Sequence, residues 1–228
     1  MRKSLIILPL VVTWSSIAPE TETSVPFIKA NQVHSQGYTG QGIIVAVIDT
    51  GILYNEPGLA GSIAPGGISF IHNGGFDQDG GVDPWPDPTM SGEHGTYMSL
   101  IITDASGVAP NASILPIRIF HNYPGPDGYT YYEQDLVNAI SYVIFVRDNV
   151  YPNVRVINMS IGDGGRTCYC DSDPDVVGTA NALQAATDSG IISFAASGND
   201  ATCGYIGSPA CISSVVQVAA NYDADYGY

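Results

Sequence analysis

A carboxylate follows the most apolar stretch of the sequence. Residues 43–48 are Ile, Ile, Val, Ala, Val and Ile, and Asp49, Thr50 and Gly51 come directly after them. A run without polar alternation predicts a strand buried on both faces, which is typical of parallel sheets covered by helices. Catalytic groups collect at the carboxyl ends of such strands, and a charge at the edge of an apolar core needs a partner. Asp49 is therefore a candidate catalytic residue, and the alternative is an Asp that only caps a turn.

A histidine is the second candidate for chemistry. After His94 the sequence places Met98, Ile101 and Ile102 at helical spacing, which predicts that His94 lies in the first turn of a helix. The helix dipole disfavours a charged imidazole at this end. A facing carboxylate such as Asp49 would orient the ring and support its charge. The alternative is an ordinary surface histidine.

The elements that would position these residues alternate along the chain. Strands are predicted over residues 113–120, 154–159, 191–196 and 215–220, helices over residues 131–149 and 175–189, and a helical turn near residues 28–35. This alternation predicts an α/β fold of three layers, with a mostly parallel central sheet and helices on both faces. It argues against an aspartic peptidase, which pairs two Asp-Thr-Gly segments in an all-β fold. A nucleotide-binding domain is also disfavoured, because no glycine-rich phosphate loop follows the first strand.

The two ends and the charge bound the class of protein. Arg2 and Lys3 precede a short apolar run, and Ser16 and Ala18 place small residues at the cleavage positions, so residues 1–18 are interpreted as a secretory signal and residues 19–228 as one domain. The alternatives are an N-terminal strand and a wrongly assigned start of the chain. The net charge is −15, and removal of the two basic residues of the signal makes it −17. Such acidity argues against binding to nucleic acid or to an anionic membrane.

An acidic loop and four cysteines complete the candidate sites. Asp77, Asp79 and Gly80 have the spacing that begins a calcium loop, and Asp83 and Asp87 follow, but the terminal Glu of such a loop is missing. A structural calcium site and a plain solvated loop therefore both stay open. The cysteines favour disulfides over zinc, because no Cys-x-x-Cys spacing occurs. A bond between residues 168 and 170 is disfavoured by geometry, which leaves two pairings.

Five motifs occur in one order along the chain. They are Val47-Ile48-Asp49-Thr50-Gly51, His94-Gly95-Thr96, residues 107–112 (Gly-Val-Ala-Pro-Asn-Ala), residues 156–162 (Val-Ile-Asn-Met-Ser-Ile-Gly) and residues 195–199 (Ala-Ala-Ser-Gly-Asn). In these motifs the chain resembles the subtilisin-like serine peptidases over about residues 24–220. The order of Asp before His is also the order that this family uses.

The resemblance implies roles for particular residues. Asp49 and His94 match the aspartate and the general base of the catalytic triad, and Asn199 matches the side chain that donates to the oxyanion. Ser160, Ile161 and Gly162 match the segment that pairs with the substrate backbone, and residues 195–198 match the opposite wall of the pocket. The implied protein is a secreted monomeric endopeptidase that acts on polypeptides and needs no cofactor for its chemistry. Similar secreted subtilases also imply the disulfides Cys170–Cys211 and Cys168–Cys203.

Three features depart from the family pattern. Tyr97 replaces the second histidine of the His-Gly-Thr-His motif, which is not part of the triad. No propeptide of the usual size fits between residue 18 and residue 24. The nucleophilic serine of the family lies in a Gly-Thr-Ser-Met-Ala segment after the Asn199 motif, and the chain reaches Tyr228 without it. We therefore expect a C-terminally incomplete catalytic domain that is inactive alone, and the competing hypothesis is a non-catalytic relative that uses the cleft for binding.

Overall fold

The computed structural model describes residues 2–5, 18–71, 93–122, 129–199 and 204–220. Within these ranges the helices are α1 (Ala18–Phe27), α2 (Ala30–His34), α3 (His94–Thr103), α4 (Glu133–Asn149) and α5 (Val177–Asp188), and Pro57–Leu59 forms a 3₁₀ turn. The strands are β1 (Arg2–Leu5), β2 (Ile44–Asp49), β3 (Ile68–Ser69), β4 (Ser113–Arg118), β5 (His121–Asn122), β6 (Tyr129–Tyr132), β7 (Val154–Met159), β8 (Asp163–Arg166), β9 (Ile192–Ala196), β10 (Ile206–Ser208) and β11 (Val216–Val218).

A parallel sheet forms the centre of the molecule. Its described strands run in the order β11-β9-β7-β2-β4-β3, and each neighbouring pair is parallel. The predicted α/β fold with a mostly parallel sheet is confirmed. Two small antiparallel sheets, β8 with β10 and β1 with β6 and β5, are separate from this sheet. Strand β2 lies between β7 and β4, and all three strands are parallel. The loops that follow them therefore meet at one edge of the sheet.

Helices cover both faces of β2, which explains its uninterrupted apolar sequence. Val45 and Val47 pack in a cluster with Leu100 of α3. Ala46 and Ile48 point the other way, into the larger core that includes α4 and α5. All six residues of the strand are buried. The chain therefore has the predicted three layers around its central strand.

Two helix boundaries differ from the predictions. The helix predicted over residues 131–149 begins only at Glu133, because Tyr131 and Tyr132 belong to strand β6. Tyrosine and threonine favour strands, and the Tyr131 ring is fully buried with its centroid 5.1 Å from that of Phe120. The helix predicted over residues 175–189 spans Val177–Asp188 and ends as expected at Gly190, whose φ is 78°.

The N-terminal region carries an element that the sequence did not predict. Helix α1 buries Thr21 and Val25, and Oγ1 of Thr21 lies 2.6 Å from Oγ of Ser106. Strand β1, inside the segment interpreted as a signal, pairs with β6; cleavage after residue 18 stays a prediction. Among the described helices, none is both long enough and apolar enough to cross a membrane.

Candidate active site

Asp49 ends strand β2 and is completely buried. The backbone N–H of Thr50 donates a hydrogen bond to its Oδ1 at 2.6 Å. A carboxylate in such a place is stable only when its oxygens accept hydrogen bonds or face a cation. One backbone donor does not satisfy both oxygens, so the carboxylate needs a second partner.

His94, the first residue of α3, is that partner. Its Nδ1 lies 2.8 Å from Oδ1 and 3.0 Å from Oδ2 of Asp49. Because an ionised carboxylate only accepts, Nδ1 carries the proton and Nε2 of the neutral ring is left as the basic atom. The His94 side chain keeps 29% of its surface exposed, and Nε2 makes no hydrogen bond within the described residues. The geometry is that of an oriented general base that is open on one side.

The His-Gly-Thr sequence is explained by how closely α3 approaches the loop after β2. A Cβ at Gly95 would lie 2.4 Å from the carbonyl oxygen of Gly51 and 3.0 Å from Cβ of Asp49. Only glycine fits there. The N–H of Gly95 donates to Oγ1 of Thr50 at 3.1 Å, and the N–H of Leu53 donates to Oγ1 of Thr96 at 2.9 Å. Two threonine hydroxyls thus fasten the helix to the loop on either side of the pair.

Electrostatics favour a protonated His94 more than in water. Burial lowers the pKa of His94, but the charge of Asp49 and its hydrogen bond raise it, and the net result is a pKa above the ordinary 6.5. The carboxylate thus outweighs the effect of burial on the pKa of His94. An imidazolium formed during a reaction would be stabilised by the same contact.

The comparisons with known proteins agree with this geometry. The model of the Subtilase family matches residues 40–226. The chain belongs to the subtilase family. The sequence is 31% identical over 217 residues to the minor extracellular protease Vpr and 33% identical over 215 residues to subtilisin E, both of Bacillus subtilis (strain 168). These alignments cover 92% and 90% of this chain but only 24% and 48% of the relatives, so the chain spans about half or less of their length.

Two solved structures share the fold at lower identity. A lanthipeptide protease superposes with a TM-score of 0.62 and 21% identity, covering 89% of this chain and 56% of its own. The prenylagaramide maturation protease PagA has a TM-score of 0.55 and 22% identity, covering 82% and 57% respectively. Like this chain, both are therefore built on the subtilase fold.

Two of the other subtilase motifs follow strands at the same sheet edge but are not joined to His94, whereas residues 107–112 precede β4 and lie at the opposite edge. Asn199 follows β9 and is exposed, and no hydrogen bond links its side chain to another described residue. Ser160, Ile161 and Gly162 follow β7, and Ile161 is buried. The structure brings Asp49 and His94 together and places the remaining candidates in the segments that follow β7 and β9, the next two strands of the sheet after β2.

Some contacts around these motifs were not predicted. The side-chain amide of Asn158 in β7 donates to Oγ of Ser160 at 3.0 Å and so fixes that hydroxyl. Tyr97 does not contact the pair through a hydrogen bond: its hydroxyl donates to Oε2 of Glu93 at 2.7 Å. Burial and the charges of Glu93 and Glu56 raise the pKa of Tyr97 to about 12. The sequence shows that polar residues lie beside these motifs. It does not show which residues they bond, because those contacts depend on the fold.

The predicted disulfide and metal sites have different outcomes. Cys170 and Cys211 are bonded, with their Cα atoms 5.5 Å apart, which confirms that pairing. Cys168 is exposed and has no disulfide partner among the described residues, and its predicted partner Cys203 lies outside them. The acidic loop with Asp77, Asp79, Gly80, Asp83 and Asp87 also lies outside. In the described parts of the chain, no group of three or more His, Cys, Asp or Glu side chains could hold a metal ion.

Proposed function

We propose that this chain carries the acid–base pair of a secreted subtilisin-like serine endopeptidase, which hydrolyses peptide bonds by acyl transfer through an Asp, His and Ser triad. The observation that carries the proposal is the contact of His94 Nδ1 with both oxygens of the buried Asp49, at 2.8 and 3.0 Å. It leaves Nε2 as the base on the open side of the ring. Family membership supports the reaction class.

Each residue has one role in this mechanism. Nε2 of His94 removes the proton from the nucleophilic hydroxyl and later returns it to the leaving amine, while Asp49 holds the tautomer and stabilises the imidazolium. The side-chain amide of Asn199 donates to the oxyanion, a contact whose loss costs about 10²–10³ in kcat in such enzymes. Ser160, Ile161 and Gly162 pair with the substrate backbone. This chemistry requires no cofactor, and structural calcium at the loop of Asp77 and Asp79 stays a prediction.

We propose that a segment beyond Tyr228 supplies the serine, and that this chain is inactive alone. The bare face of the sheet supports the proposal. Ile192 of β9 and Val216 and Val218 of β11 are 54%, 44% and 48% exposed. The parallel register places them on the face of Val45, which α3 covers further along the sheet. Exposed apolar residues on this inner face favour a further element that packs beside α3. Without a serine, the remaining groups supply at most about 10³–10⁴-fold acceleration.

Secretion and the partners follow from the same proposal. The buried Cys170–Cys211 disulfide favours an oxidising compartment, and the relative Vpr is named an extracellular protease. The substrates are polypeptides, which bind along the carboxyl edge of the sheet, and the complete enzyme acts as a monomer. The strongly acidic chain does not bind nucleic acid.

The test is peptide hydrolysis by two proteins. One is residues 1–228. The other is the longer polypeptide that is expressed when the coding sequence downstream of Tyr228 is included. We expect turnover only from the longer protein, with loss of activity in its His94→Ala variant. A longer protein with a folded cleft that binds peptides but never cleaves them would instead establish the non-catalytic binding protein.

A further inference from the structure

The two walls proposed to hold a peptide are joined to each other through backbone contacts. The first wall, residues 160–162, continues into β8, which pairs with β10 so that Asp163 lies opposite Ser208. The second wall ends β9, where the N–H of Gly207 in β10 donates to the carbonyl oxygen of Ser197 at 2.9 Å. A Cβ at Gly162 would lie 3.6 Å from the carbonyl oxygen of Ala196 and 3.7 Å from that of Ser208. Strand β10 is therefore the element shared by both walls.

Strand β10 is in turn held by a set of contacts that we call the clasp, formed between residues 166–173 and residues 211–213. Cys170 and Cys211 form the disulfide, and the N–H of Cys170 donates to the carbonyl oxygen of Cys211 at 3.0 Å. Oγ of Ser213 donates to Oδ1 of Asp171 at 2.7 Å, and its N–H lies 3.2 Å from the same oxygen. The clasp thus ties the loop after β8 to the chain just after β10.

An ion pair and a backbone bond complete the path from the clasp to the walls. Nε of Arg166, the last residue of β8, lies 2.9 Å from Oδ2 of Asp173. The N–H of Cys211 donates to the carbonyl oxygen of Gly207 at 2.9 Å, the same residue that bonds Ser197. A chain of direct contacts therefore runs from Cys170 to the wall that precedes Asn199.

Packing alone does not hold this loop. Thr167, Cys168 and Tyr169 are exposed, and they line a cavity of about 350 Å³ together with Tyr205 and Cys211. A loop beside unfilled volume has room to move once its ties are removed. The covalent bond closes a separation of 41 residues and so restricts the loop far more than its exposed side chains do.

We propose that the clasp sets the spacing of the two peptide-binding walls, so that Cys170, Cys211, Asp171 and Ser213 are positioning residues for substrate binding. The use of the walls for peptides rests on the proposed function, whereas the mechanical role of the clasp does not. None of these residues lies at the Asp49–His94 pair. The clasp therefore acts on how tightly a peptide is held and leaves the base unchanged.

The test compares the wild-type chain with the double variant Cys170→Ala and Cys211→Ala, and with Ser141→Ala as the control, because Ser141 is exposed on α4 and its hydroxyl bonds the carbonyl oxygen of Val137 in the same helix. Amide hydrogen exchange is followed at Gly207, whose N–H bonds the carbonyl oxygen of Ser197 in the second wall, and at Leu53 and Gly95 beside His94. We expect exchange at Gly207 to accelerate by about ten-fold or more in the double variant, because the bond between β10 and the wall loses its support. Leu53, Gly95 and the ¹⁵N shifts of His94 stay as in the wild type, as does every signal in the control.

A second measurement asks whether the positioned walls hold a peptide. Fluorescence polarisation with a fluorescein-labelled tetra-alanine peptide should show a Kd about ten-fold weaker for the double variant than for the wild type and the control. Unchanged exchange at Gly207, or equal acceleration at Leu53 and Gly95, would overturn the clasp proposal. If the wild type binds no peptide, while amide exchange at Gly207 is still faster in the double variant than in the wild type, that result would support the clasp and count against the proposed function.

Discussion

Gly95 lies against Gly51 so closely that a methyl group on Gly95 would come within 2.4 Å of the Gly51 carbonyl oxygen. This contact allows the first turn of α3 to reach the loop that follows Asp49. The distance between the helix and the loop thus determines whether the imidazole of His94 meets the carboxylate.

Gly95→Ala should therefore destabilise the protein and weaken the His94–Asp49 contact. The clash is with backbone atoms, so α3 must move, at a cost of about 1–3 kcal/mol in the free energy of unfolding. Gly178→Ala in α5 is the control, since its methyl would lie an ordinary 3.4 Å from Cγ2 of Val137 and should be neutral or stabilising by up to about 1 kcal/mol. Urea denaturation and the ¹⁵N shifts of His94 measure both effects. A Gly95→Ala protein equal to the wild type in both would show that the close approach is unimportant.

Asp49→Asn should remove the carboxylate that keeps the proton of His94 on Nδ1. The charge and hydrogen bond of Asp49 raise the pKa of His94, so the variant should have a lower His94 pKa than the wild type. In an active, longer protein the same change should cost on the order of 10⁴ in kcat. Nitrogen-15 NMR of the imidazole reports the tautomer and the pKa, and Asp171→Asn serves as a control because Asp171 contacts Ser213 instead. An unchanged titration of His94 in Asp49→Asn would refute this role of the carboxylate.

The stability of the fold should depend on pH through His94. Its pKa is raised above 6.5 in the folded state, so its contribution to stability is fully present below pH 6.5 and is lost as the pH rises through the folded pKa. The difference in unfolding free energy between the wild type and His94→Gln should shrink from pH 5.5 to pH 8.5. Chemical denaturation at both pH values measures it, and a difference that grows with pH would contradict the sign.

For turnover the requirement is opposite, because the base must be neutral, so activity should fall on the acid side from a midpoint above pH 6.5.

The central strand was predictable because the local sequence determines it, whereas the pairing of Asp49 with His94 was predicted from the motif resemblance to the subtilase family. Residues 43–48 are all apolar, so burial on both faces of a strand is the pattern that fits them. Asp49 follows at the carboxyl end of this strand, where catalytic groups collect in parallel sheets. A helix start at His94 was predictable from the apolar spacing that follows it, but the partner of its ring lies 45 positions away in the sequence. Strand β7 matched the prediction at both ends, since its apolar residues are bounded by Asn153 and Ser160.

Other features could not be predicted because they depend on distant parts of the chain. Tyr131 belongs to a strand since its ring packs on Phe120, although the sequence continues directly into a helix. Helix α1 contains Pro26 and buries few apolar residues, so it shows little periodicity. The Asp171–Ser213 contact joins residues 42 positions apart. Nothing in the local sequence around Asp171 indicates this partner.

The most direct test of the account is labelling with a fluorophosphonate probe, which reacts with a serine only when a working base activates it. Residues 1–228 should remain unlabelled, and the longer protein should be labelled stoichiometrically at a serine beyond Tyr228. Labelling should disappear in His94→Ala and persist in Cys168→Ala. Stoichiometric labelling of any serine within residues 1–228 would contradict the account, because the nucleophile would then already be present in this chain.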